Sequence, residues 1–314
     1  MTKSISKNLT SDGVLNNYNL LPEQYERSNL YTIKSTYFNG SSELEISDHD
    51  DLSFVETSGG NPFSISLWVN PRLPTAGVAQ YFFRKGDFSG NTNREYICGL
   101  SADNKLFLQI WDESSDDYML VQTNNAWTLD NRKWQHIVFS YRGLTTGAPE
   151  DLEIRENGVN LNEAGVTTGA KITVGYSSME NLGSRVFIGH TAFSGHITEV
   201  SLYSHRLANS QCKAIYNNGC PTELTSLPGS LATTLEHWWR MGGYSADSLS
   251  GNTGAIRDVK AGRNAAPTAA SNFDTDAIID NYPCKIPKSV PFSLRVRGVP
   301  FIRDRSAPYK TNLD

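Results

Sequence analysis

Short runs in which hydrophobic and polar residues alternate follow one another along most of the chain. In LDNRKWQHIVFSYRG, Ile137, Phe139 and Tyr141 fall on one side of a strand and the residues between them on the other. Similar runs are LEIS, FSISLWVNP, AQYFFRKG, REYICGLS, KLFLQIWD, YMLVQTN, LEIRENGV, KITVG, RVFIGH and HITEVSLYSHRL. Turn residues separate them at the intervals of a β-sandwich, so the pattern predicts an all-β fold.

One segment, LANSQCKAIYNNGC, has a helical pattern. Ser210 is a candidate N-cap, and Asn217, Asn218 and Gly219 are suited to end the helix. We expect one or two helical turns packed at the periphery of the strands.

The order of the motifs carries a resemblance to a known family. The sequence runs through YFNG at 37–40, FSISLWV at 63–69, WQHIV at 134–138, an ENG hairpin at 156–158, FIG at 187–189, FSGHITEV at 193–200, and Arg206-Leu207 with the short helix. Over residues 37–222 this succession resembles the laminin-G-like, concanavalin A-like sandwich family. The resemblance implies an antiparallel β-sandwich jelly roll over residues 37–224, with extended terminal arms at 1–36 and 283–314.

The resemblance also implies roles for two tryptophans. In such domains the Trp of the W-x-H segment packs in the core, so Trp134 and Trp68 are predicted core anchors. His136 is predicted to be a structural side chain with satisfied hydrogen bonds, because no acid or nucleophile is placed beside it in the sequence.

A Trp-Trp segment at residues 225–282 resembles the strand pair that usually opens these domains. It is either the start of a second repeat or a permuted segment that completes the sandwich by pairing onto an edge. Adjacent residues of a strand point to opposite faces, so Trp238 or Trp239 is a candidate for stacking on a sugar ring. The alternative is that both tryptophans are buried against a neighbouring element.

The sequence gives little support for catalysis. Laminarinase-type relatives carry Glu-x-Asp-x-x-Glu on one strand, which places the nucleophile and the acid in the same cleft. Glu43 and Glu45 share a face, but no third acid completes the set, and the acids between 150 and 156 do not alternate. Phosphate loops, nucleophile elbows and zinc-protease helices are also missing. We therefore expect no catalytic residues and no enzyme, with a divergent glycoside hydrolase as the remaining alternative.

Two acidic clusters raise the question of calcium. Relatives of this kind hold Ca²⁺ in loops at the rim of the sandwich. Asp112, Asp116 and Asp117 crowd one predicted hairpin and are the better candidate ligands, and a second cluster spans residues 48–51. Calcium is the candidate cofactor because like charges in a short hairpin repel one another unless a cation or solvent intervenes. A solvated acidic turn is the alternative.

Charge is distributed unevenly along the chain. The net charge is −5, which gives no electrostatic case for nucleic acid, and neither an 18-residue apolar run nor an export signal is present, so we expect no membrane partner. The arm at 283–314 carries seven Lys/Arg against two Asp. Its alternating residues 290–296 could add as a strand to a partner's sheet edge. The residues predicted to dock a partner are Arg295, Arg297, Phe301, Arg303 and Arg305.

The four cysteines, Cys98, Cys212, Cys220 and Cys284, have no zinc-site spacing. Because the sequence shows no export signal, we expect free, partly buried thiols rather than disulfides.

Localisation supplies a hypothesis about function. Sandwiches of this kind mostly work outside cells, yet this chain shows neither a signal nor a disulfide framework. Both observations are explained if the chain is a virus-particle protein that folds in the host cytoplasm and is released by lysis. The leading hypothesis is a virion accessory protein, a capsid decoration or tail-fibre subunit. It would bind other virion proteins or copies of itself and display its sandwich toward cell-surface glycans. The alternative is a free carbohydrate-binding or adhesion module.

Overall fold

The computed structural model describes residues 34–55, 61–72, 77–87, 90–127, 133–143, 151–161, 168–189, 192–244 and 246–283. The strands are β1 (Ser35–Asn39), β2 (Leu44–Ile46), β3 (Phe63–Pro71), β4 (Gln80–Asp87), β5 (Thr92–Leu100), β6 (Leu106–Asp112), β7 (Asp117–Thr123), β8 (Gln135–Tyr141), β9 (Leu152–Glu156), β10 (Val159–Asn160), β11 (Thr168–Val174), β12 (Val186–Ile188), β13 (Ser194–Tyr203), β14 (Leu235–Trp239), β15 (Ser248–Ser250), β16 (Thr253–Ala255), β17 (Ala266–Pro267) and β18 (Ile278–Ile279). The helices are α1 (Asn209–Tyr216) and α2 (Ser230–Thr233), with 3₁₀ turns at Asp50–Leu52, Asn217–Gly219 and Leu224–Ser226.

Two eight-stranded antiparallel sheets contain nearly all of these strands. Sheet A has the order β10-β9-β8-β3-β13-β1-β18, with β14 paired to β13 beside that path, and sheet B has the order β11-β7-β6-β5-β4-β12-β2-β17. Strands β15 and β16 form a separate small hairpin. The predicted all-β antiparallel sandwich is confirmed. Strand β1 begins at Ser35, two residues inside the predicted amino-terminal arm; residues 1–33 of that arm and residues 284–314 lie outside the described residues.

The main hydrophobic core lies between the two sheets. On β8, Ile137 and Phe139 face it as the alternation predicts, and on β3 Ile65 and Leu67 do the same. On sheet B, the alternate residues Leu106, Leu108 and Ile110 of β6 enter the same core. Full burial of each such side chain stabilises the fold by about 1.5–3 kcal/mol, so the registered inner faces hold the sheets together.

A second hydrophobic cluster covers the outer face of sheet A. Val138 and Tyr203 project outward from the sheet, and Cys212 and Ile215 of α1 pack over them. Trp238 joins the same cluster from β14. Sheet A is therefore enclosed on both faces, which explains why Ser64, at a polar position of the β3 pattern, is fully buried.

Helix α1 forms where the sequence predicts it, but its cap differs from the prediction. The N-cap is Ala208 rather than Ser210, and the side chain of Gln211 accepts a hydrogen bond from the Ala208 backbone N–H at 2.7 Å. Asn217 and Asn218 adopt positive φ values of 43° and 54° and end the helix, as expected for residues that tolerate the left-handed region.

The Trp-Trp segment pairs with the sandwich at three places. Strand β14 lies antiparallel to β13, β17 pairs with β2, and β18 pairs with β1. Fully buried His237 of β14 bonds Asp258 at 2.8 Å, and Arg263 pairs with Asp51 at 3.2 Å. The segment thereby contributes strands to both sheets and bonds to a turn between them. None of the helices that the structure describes has the length and apolarity needed to cross a bilayer.

Candidate functional site

The outer face of sheet B carries a groove of about 320 Å³. Its lining combines the aromatic rings of Tyr81, Phe107 and Trp111 with the amides of Asn91, Gln109 and Gln122, the hydroxyl of Ser101 and the aliphatic Ile97 and Leu120, and two alanines complete it. This volume lies at the lower end of the roughly 300–1,000 Å³ range of small-molecule sites. We call this feature the sheet-B groove.

Strand register sets the floor of the sheet-B groove. Gly99 pairs with Tyr81 on one side and with Phe107 on the other, and Phe107 pairs in turn with Gln122. A neighbouring row runs from Ile97 to Gln109 to Leu120, and Trp111 lies opposite Tyr118 beyond it. Because paired residues share a face of the sheet, aromatic rings and amides from β4, β6 and β7 converge on one surface, with Ile97 of β5 between them.

A β-bulge and a glycine shape the middle of the groove. The register shifts between Tyr81 and Phe83, so Phe82 is the extra residue, and both phenylalanines enter the core while Tyr81 faces the groove. A Cβ atom on Gly99 would lie 2.2 Å from the carbonyl oxygen of Gln80, so no side chain fits there. The rings of Tyr81 and Phe107 meet edge to face across this glycine, with centroids 6.1 Å apart.

Arg94 braces Trp111 at one end of the groove. The guanidinium carbon lies 3.8 Å from the centroid of the Trp111 ring, a cation–π contact. Arg94 Nε donates to Glu113 Oε2 at 2.8 Å, and the other side of the guanidinium pairs with Asp116. Burial lowers the pKa of Arg94, but the hydrogen bonds that Arg94 donates to the two carboxylates outweigh burial and raise the pKa above its ordinary value, so the group stays cationic. The contact with the Arg94 guanidinium therefore holds the Trp111 ring in one orientation.

The predicted calcium ligands do not converge on one point. The Asp112 carboxylate is buried and accepts hydrogen bonds from Ser114, Ser177 and Ser178. Burial would raise its pKa, but these bonds outweigh burial and hold the pKa at about 2. Asp116 pairs with Arg94 instead, and the Asp117 carboxylate lies against Gly175.

The described residues therefore do not bring the predicted ligands together, and calcium binding itself stays a prediction. In the part of the chain that the structure describes, no group of three or more His, Cys, Asp or Glu side chains could hold a metal ion. The repulsion within the acidic hairpin is relieved by the guanidinium of Arg94 and by hydroxyl donors. The hairpin sequence alone does not show that an arginine from the neighbouring strand supplies the positive charge that was expected from a metal ion.

The tryptophans proposed to stack on sugar are both buried. Trp238 is 1% exposed and its Nε1 donates to Glu199 Oε2 at 2.7 Å, while Trp239 is 0% exposed and its Nε1 donates to the carbonyl oxygen of Arg263 at 2.7 Å. They point to opposite faces of β14, but each face is covered, Trp238 by the outer cluster and Trp239 by the main core. Neither ring can receive a sugar, and the alternative of burial is what the structure shows.

The tryptophans predicted as core anchors need a second correction. Trp68 is buried, but on the outer face of sheet A, where its ring stacks on Tyr216 with centroids 5.6 Å apart. Trp134 precedes β8, is only partly buried, and donates from Nε1 to Asn281 Oδ1 at 3.1 Å. It marks the start of the strand rather than the core.

His136 is structural, although only half of its hydrogen-bonding capacity is used. Its Nε2 lies 2.8 Å from Ser66 Oγ, and its Nδ1 has no partner among the described residues. Burial lowers the pKa of His136 to about 3, so the ring is neutral. Among the cysteines, Cys98 and Cys212 are free and buried as expected, but Cys220 is disulfide-bonded, which corrects the expectation for that residue.

The predicted docking residues of the carboxy-terminal arm, from Arg295 to Arg305, lie outside the described residues. The groove residues were not singled out from the sequence, although one signal was present. In KLFLQIWD the aliphatic Leu106, Leu108 and Ile110 alternate with Phe107, Gln109 and Trp111. An outward face with two large aromatic residues is uncommon for a strand whose other face already fills a core, and indicates a binding surface.

The groove has the chemical means to hold a polar ring with apolar faces. Aromatic rings offer flat apolar surface, and amide groups offer both donors and acceptors to hydroxyl groups. Among the described lining residues, none has a carboxylate, imidazole or ammonium group that could transfer a proton. The arrangement supports binding by stacking and hydrogen bonding.

Comparison with known proteins places this architecture in a family. A laminin-G family model of the concanavalin A-like lectin/glucanases superfamily matches residues 38–213. No curated protein matches the sequence. A solved structure of a protein assigned as carbohydrate-binding from Bacteroides ovatus ATCC 8483 is similar, with 14% identity and a TM-score of 0.49, over 78% of this chain and 60% of that one.

Two further solved structures are similar at lower TM-scores. A SAP-like pentraxin from Limulus polyphemus has 12% identity and a TM-score of 0.39, over 59% of this chain and 83% of the pentraxin. The CBM40 domain of a Ruminococcus gnavus IT-sialidase, bound to α2,3 sialyllactose, has 9% identity and a TM-score of 0.40, over 59% of this chain and 100% of the domain. Since the family model spans more than half of its length, the chain belongs to the concanavalin A-like lectin/glucanase superfamily.

Proposed function

We propose that this protein is a carbohydrate-binding module and that its glycan lies in the sheet-B groove. The observation that carries the proposal is the convergence of partly exposed Tyr81 and Trp111 with Gln109 and Gln122 on one sheet face, over a floor that contains the buried ring of Phe107. The outer face of sheet A is covered by its own cap, whereas the described outer face of sheet B leaves room for a ligand. Sugar rings pair apolar C–H faces with hydroxyl edges, which matches flat rings interspersed with amides.

Titration of the full chain with a panel of oligosaccharides tests this proposal. At least one glycan should bind, and Trp111→Ala or Gln109→Ala should weaken that binding about tenfold or more. Trp134→Ala removes a partly buried tryptophan outside the groove and serves as the matched control, with expected affinity close to that of the wild type. Absence of binding across the panel, or binding indifferent to both groove substitutions, would contradict the proposal.

We also propose that the module binds glycan without cleaving it. The described lining of the groove offers no pair of carboxyl groups for acid and nucleophile, and the nearby Glu113 and Asp116 are held by Arg94. Incubation with the bound oligosaccharide should release no new reducing ends. Release that disappears in a Glu113→Gln or Asp116→Asn variant would support the divergent hydrolase instead.

Placement of the module on a virus particle is a second proposal. It is supported by the sequence of residues 283–314, whose basic residues and alternating apolar positions suit attachment to an acidic surface or an exposed sheet edge of a partner. The partners would be other particle proteins or copies of this chain. Deletion of residues 285–314 should abolish incorporation into particles while leaving glycan binding intact; incorporation that persists would contradict the proposal.

A further inference from the structure

Resting on the proposed glycan-binding function, we infer that the sheet-B groove takes neutral glycans and discriminates against glycans that carry carboxylate groups. The inference concerns the chemical class of the ligand. It follows from where the cations and anions around the groove lie and from what already neutralises them.

The described residues that line the groove bring no charged side chain to the ligand. Their polar atoms are amides and hydroxyls, which can hydrogen-bond a sugar hydroxyl but cannot neutralise a carboxylate. Removing a carboxylate from water without a partner charge is costly, whereas a neutral sugar loses only hydrogen bonds that the amides replace. The lining alone therefore favours a neutral ring.

Arg94 is the cation nearest the aromatic platform, and it is already fully engaged. It is buried behind Trp111, with one carboxylate on its Nε and another on the far side of the guanidinium. Two anions around one cation leave a net negative charge at this end of the groove. The Asp116 side chain is 77% exposed, so its charge faces the solvent from which an acidic ligand would approach.

Arg84 is a second arginine on this face, and its guanidinium is already paired with one carboxylate, although its Nε has no hydrogen-bond partner among the described residues. It pairs in register with Ile97 of the groove floor, so it projects from the same side of sheet B. Its Nη2 donates to Glu43 Oε2 at 3.1 Å, and its guanidinium carbon lies 4.1 Å from the centroid of the Phe187 ring. An acidic sugar would have to break this buried pair to gain a counter-charge.

Arg185 precedes β12 and is paired with Glu45 at 2.7 Å, and a further cation on this sheet is Lys105. It lies one residue before β6 and, by alternation, on the same side as Phe107, but it is not among the residues that line the groove. Exposed Asp103 lies in the same turn. Lys105 lies just before the opposite end of β6 from Trp111, so its ammonium group is too distant to neutralise a carboxylate on a ring stacked on Trp111.

Matched pairs of oligosaccharides test the inference. Each pair shares chain length and linkage but differs at C6, such as galactose against galacturonate, glucose against glucuronate, and mannose against mannuronate. For the pair whose neutral member binds, the uronate should bind at least tenfold more weakly. The difference should shrink as salt is raised, because screening weakens the repulsion by the acidic hairpin.

Three variants test which residues produce the preference for neutral glycans. Trp111→Ala should remove binding of the neutral member. Asp116→Asn should lower the ratio of the neutral-glycan affinity to the uronate affinity. This ratio does not change if the substitution weakens binding of both ligands equally. Lys105→Gln should leave the ratio unchanged, because Lys105 lies outside the lining.

The outcomes separate this inference from the function on which it rests. Uronates that bind as tightly as their neutral partners, with binding lost in Trp111→Ala, would overturn the neutral-glycan inference and leave the binding module intact. Absence of binding by every pair would overturn the proposed function itself, and the inference with it. Neutral selectivity that survives Trp111→Ala would also overturn the inference, because it would place the selectivity outside the groove.

Discussion

Glu95 is fully buried beside Lys85, and one ammonium group there serves two carboxylates. Lys85 Nζ donates to Asp48 Oδ1 at 2.6 Å and to the carbonyl oxygen of Ser184 at 2.8 Å, and lies 3.1 Å from Glu95 Oε1. Glu95 Oε2 has no hydrogen-bond partner among the described residues. Burial raises the pKa of Glu95 to about 7, and it outweighs the lowering effects of Lys85 and of the hydrogen bonds from Leu182 and Ser53.

The raised pKa of Glu95 predicts how stability depends on pH. A carboxyl group whose pKa is higher in the folded than in the unfolded chain stabilises the fold below its ordinary pKa of 4.5, and that contribution is lost as pH rises through about 7. The free energy of unfolding should therefore lose about 3 kcal/mol from this group between pH 4.5 and 8. Denaturant titrations of wild type and Glu95→Gln at both pH values measure the effect.

The slope with pH, rather than the absolute stability of the variant, is the quantity to compare. Glu95→Gln cannot titrate, so its decline between the two pH values should be smaller than that of the wild type. Glu45→Gln, which alters a partly exposed pair with Arg185, is the control and should keep the wild-type decline. Equal declines in wild type and Glu95→Gln would show that Glu95 is ionised throughout.

Individual tryptophans show what could not be predicted from the sequence, namely which face of a strand is covered and by which element. The sequence of β3 predicts that Trp68 is buried. It does not predict that Trp68 packs under Tyr216, because the helix that contains Tyr216 lies far along the chain from β3. Alternation says which residues share a face and cannot say which face is covered. The same limit explains Trp238 and Trp239, each buried on a different side of β14.

At the scale of elements, the bulge in β4 and Gly99 of β5 together build the middle of the groove. Gly99→Ala would place a Cβ atom 2.2 Å from the Gln80 carbonyl oxygen and 2.7 Å from the Tyr81 Cα, so backbone rather than a flexible side chain would have to move. We expect a loss of about 1–3 kcal/mol in the free energy of unfolding and weaker glycan binding. Denaturant titration and ligand titration measure the two effects.

Gly183→Ala is the matched control for this substitution. The nearest atom to a Cβ there is Asp48 Oδ2 at 4.0 Å, so the added methyl group meets open space. Its stability should stay within about 0.5 kcal/mol of the wild type. A Gly99→Ala variant as stable as Gly183→Ala would contradict the close approach of β4 to β5.

The strands were predictable because each carries its own local signal. The bounds of β3 coincide with the run FSISLWVNP, and the Asn157-Gly158 turn between β9 and β10 has the positive φ values of 51° and 76° that a two-residue hairpin requires. The groove was not predictable in the same way. Its floor joins Tyr81, Gly99, Phe107 and Gln122, whose register is set by pairing between strands rather than by any one stretch of sequence.

At the scale of the whole molecule, the described chain forms successive layers: sheet B with its open outer face, the main core, sheet A, and the cap over sheet A. The last layer depends on residues far along the chain. Strand β14 pairs with β13 and supplies Leu235 and Trp238 to the outer cluster and Trp239 to the main core. The groove lies on the opposite side of the molecule from this cap, so ligand binding and closure of sheet A use separate surfaces.

Two truncations distinguish the Trp-Trp segment, which completes this layered body, from the carboxy-terminal arm. Removal of residues 235–314 strips β14 from β13 and takes two fully buried tryptophans with it. At about 3–5 kcal/mol for each deleted tryptophan side chain, the loss is comparable with the roughly 5–15 kcal/mol of a typical domain, so this variant should not unfold cooperatively. Removal of residues 285–314 alone leaves every described contact in place, and its melting curve should match that of the wild type. Calorimetry of the two variants decides: cooperative melting near the wild-type temperature after removal of residues 235–314 would mean that the sandwich is complete without the Trp-Trp segment.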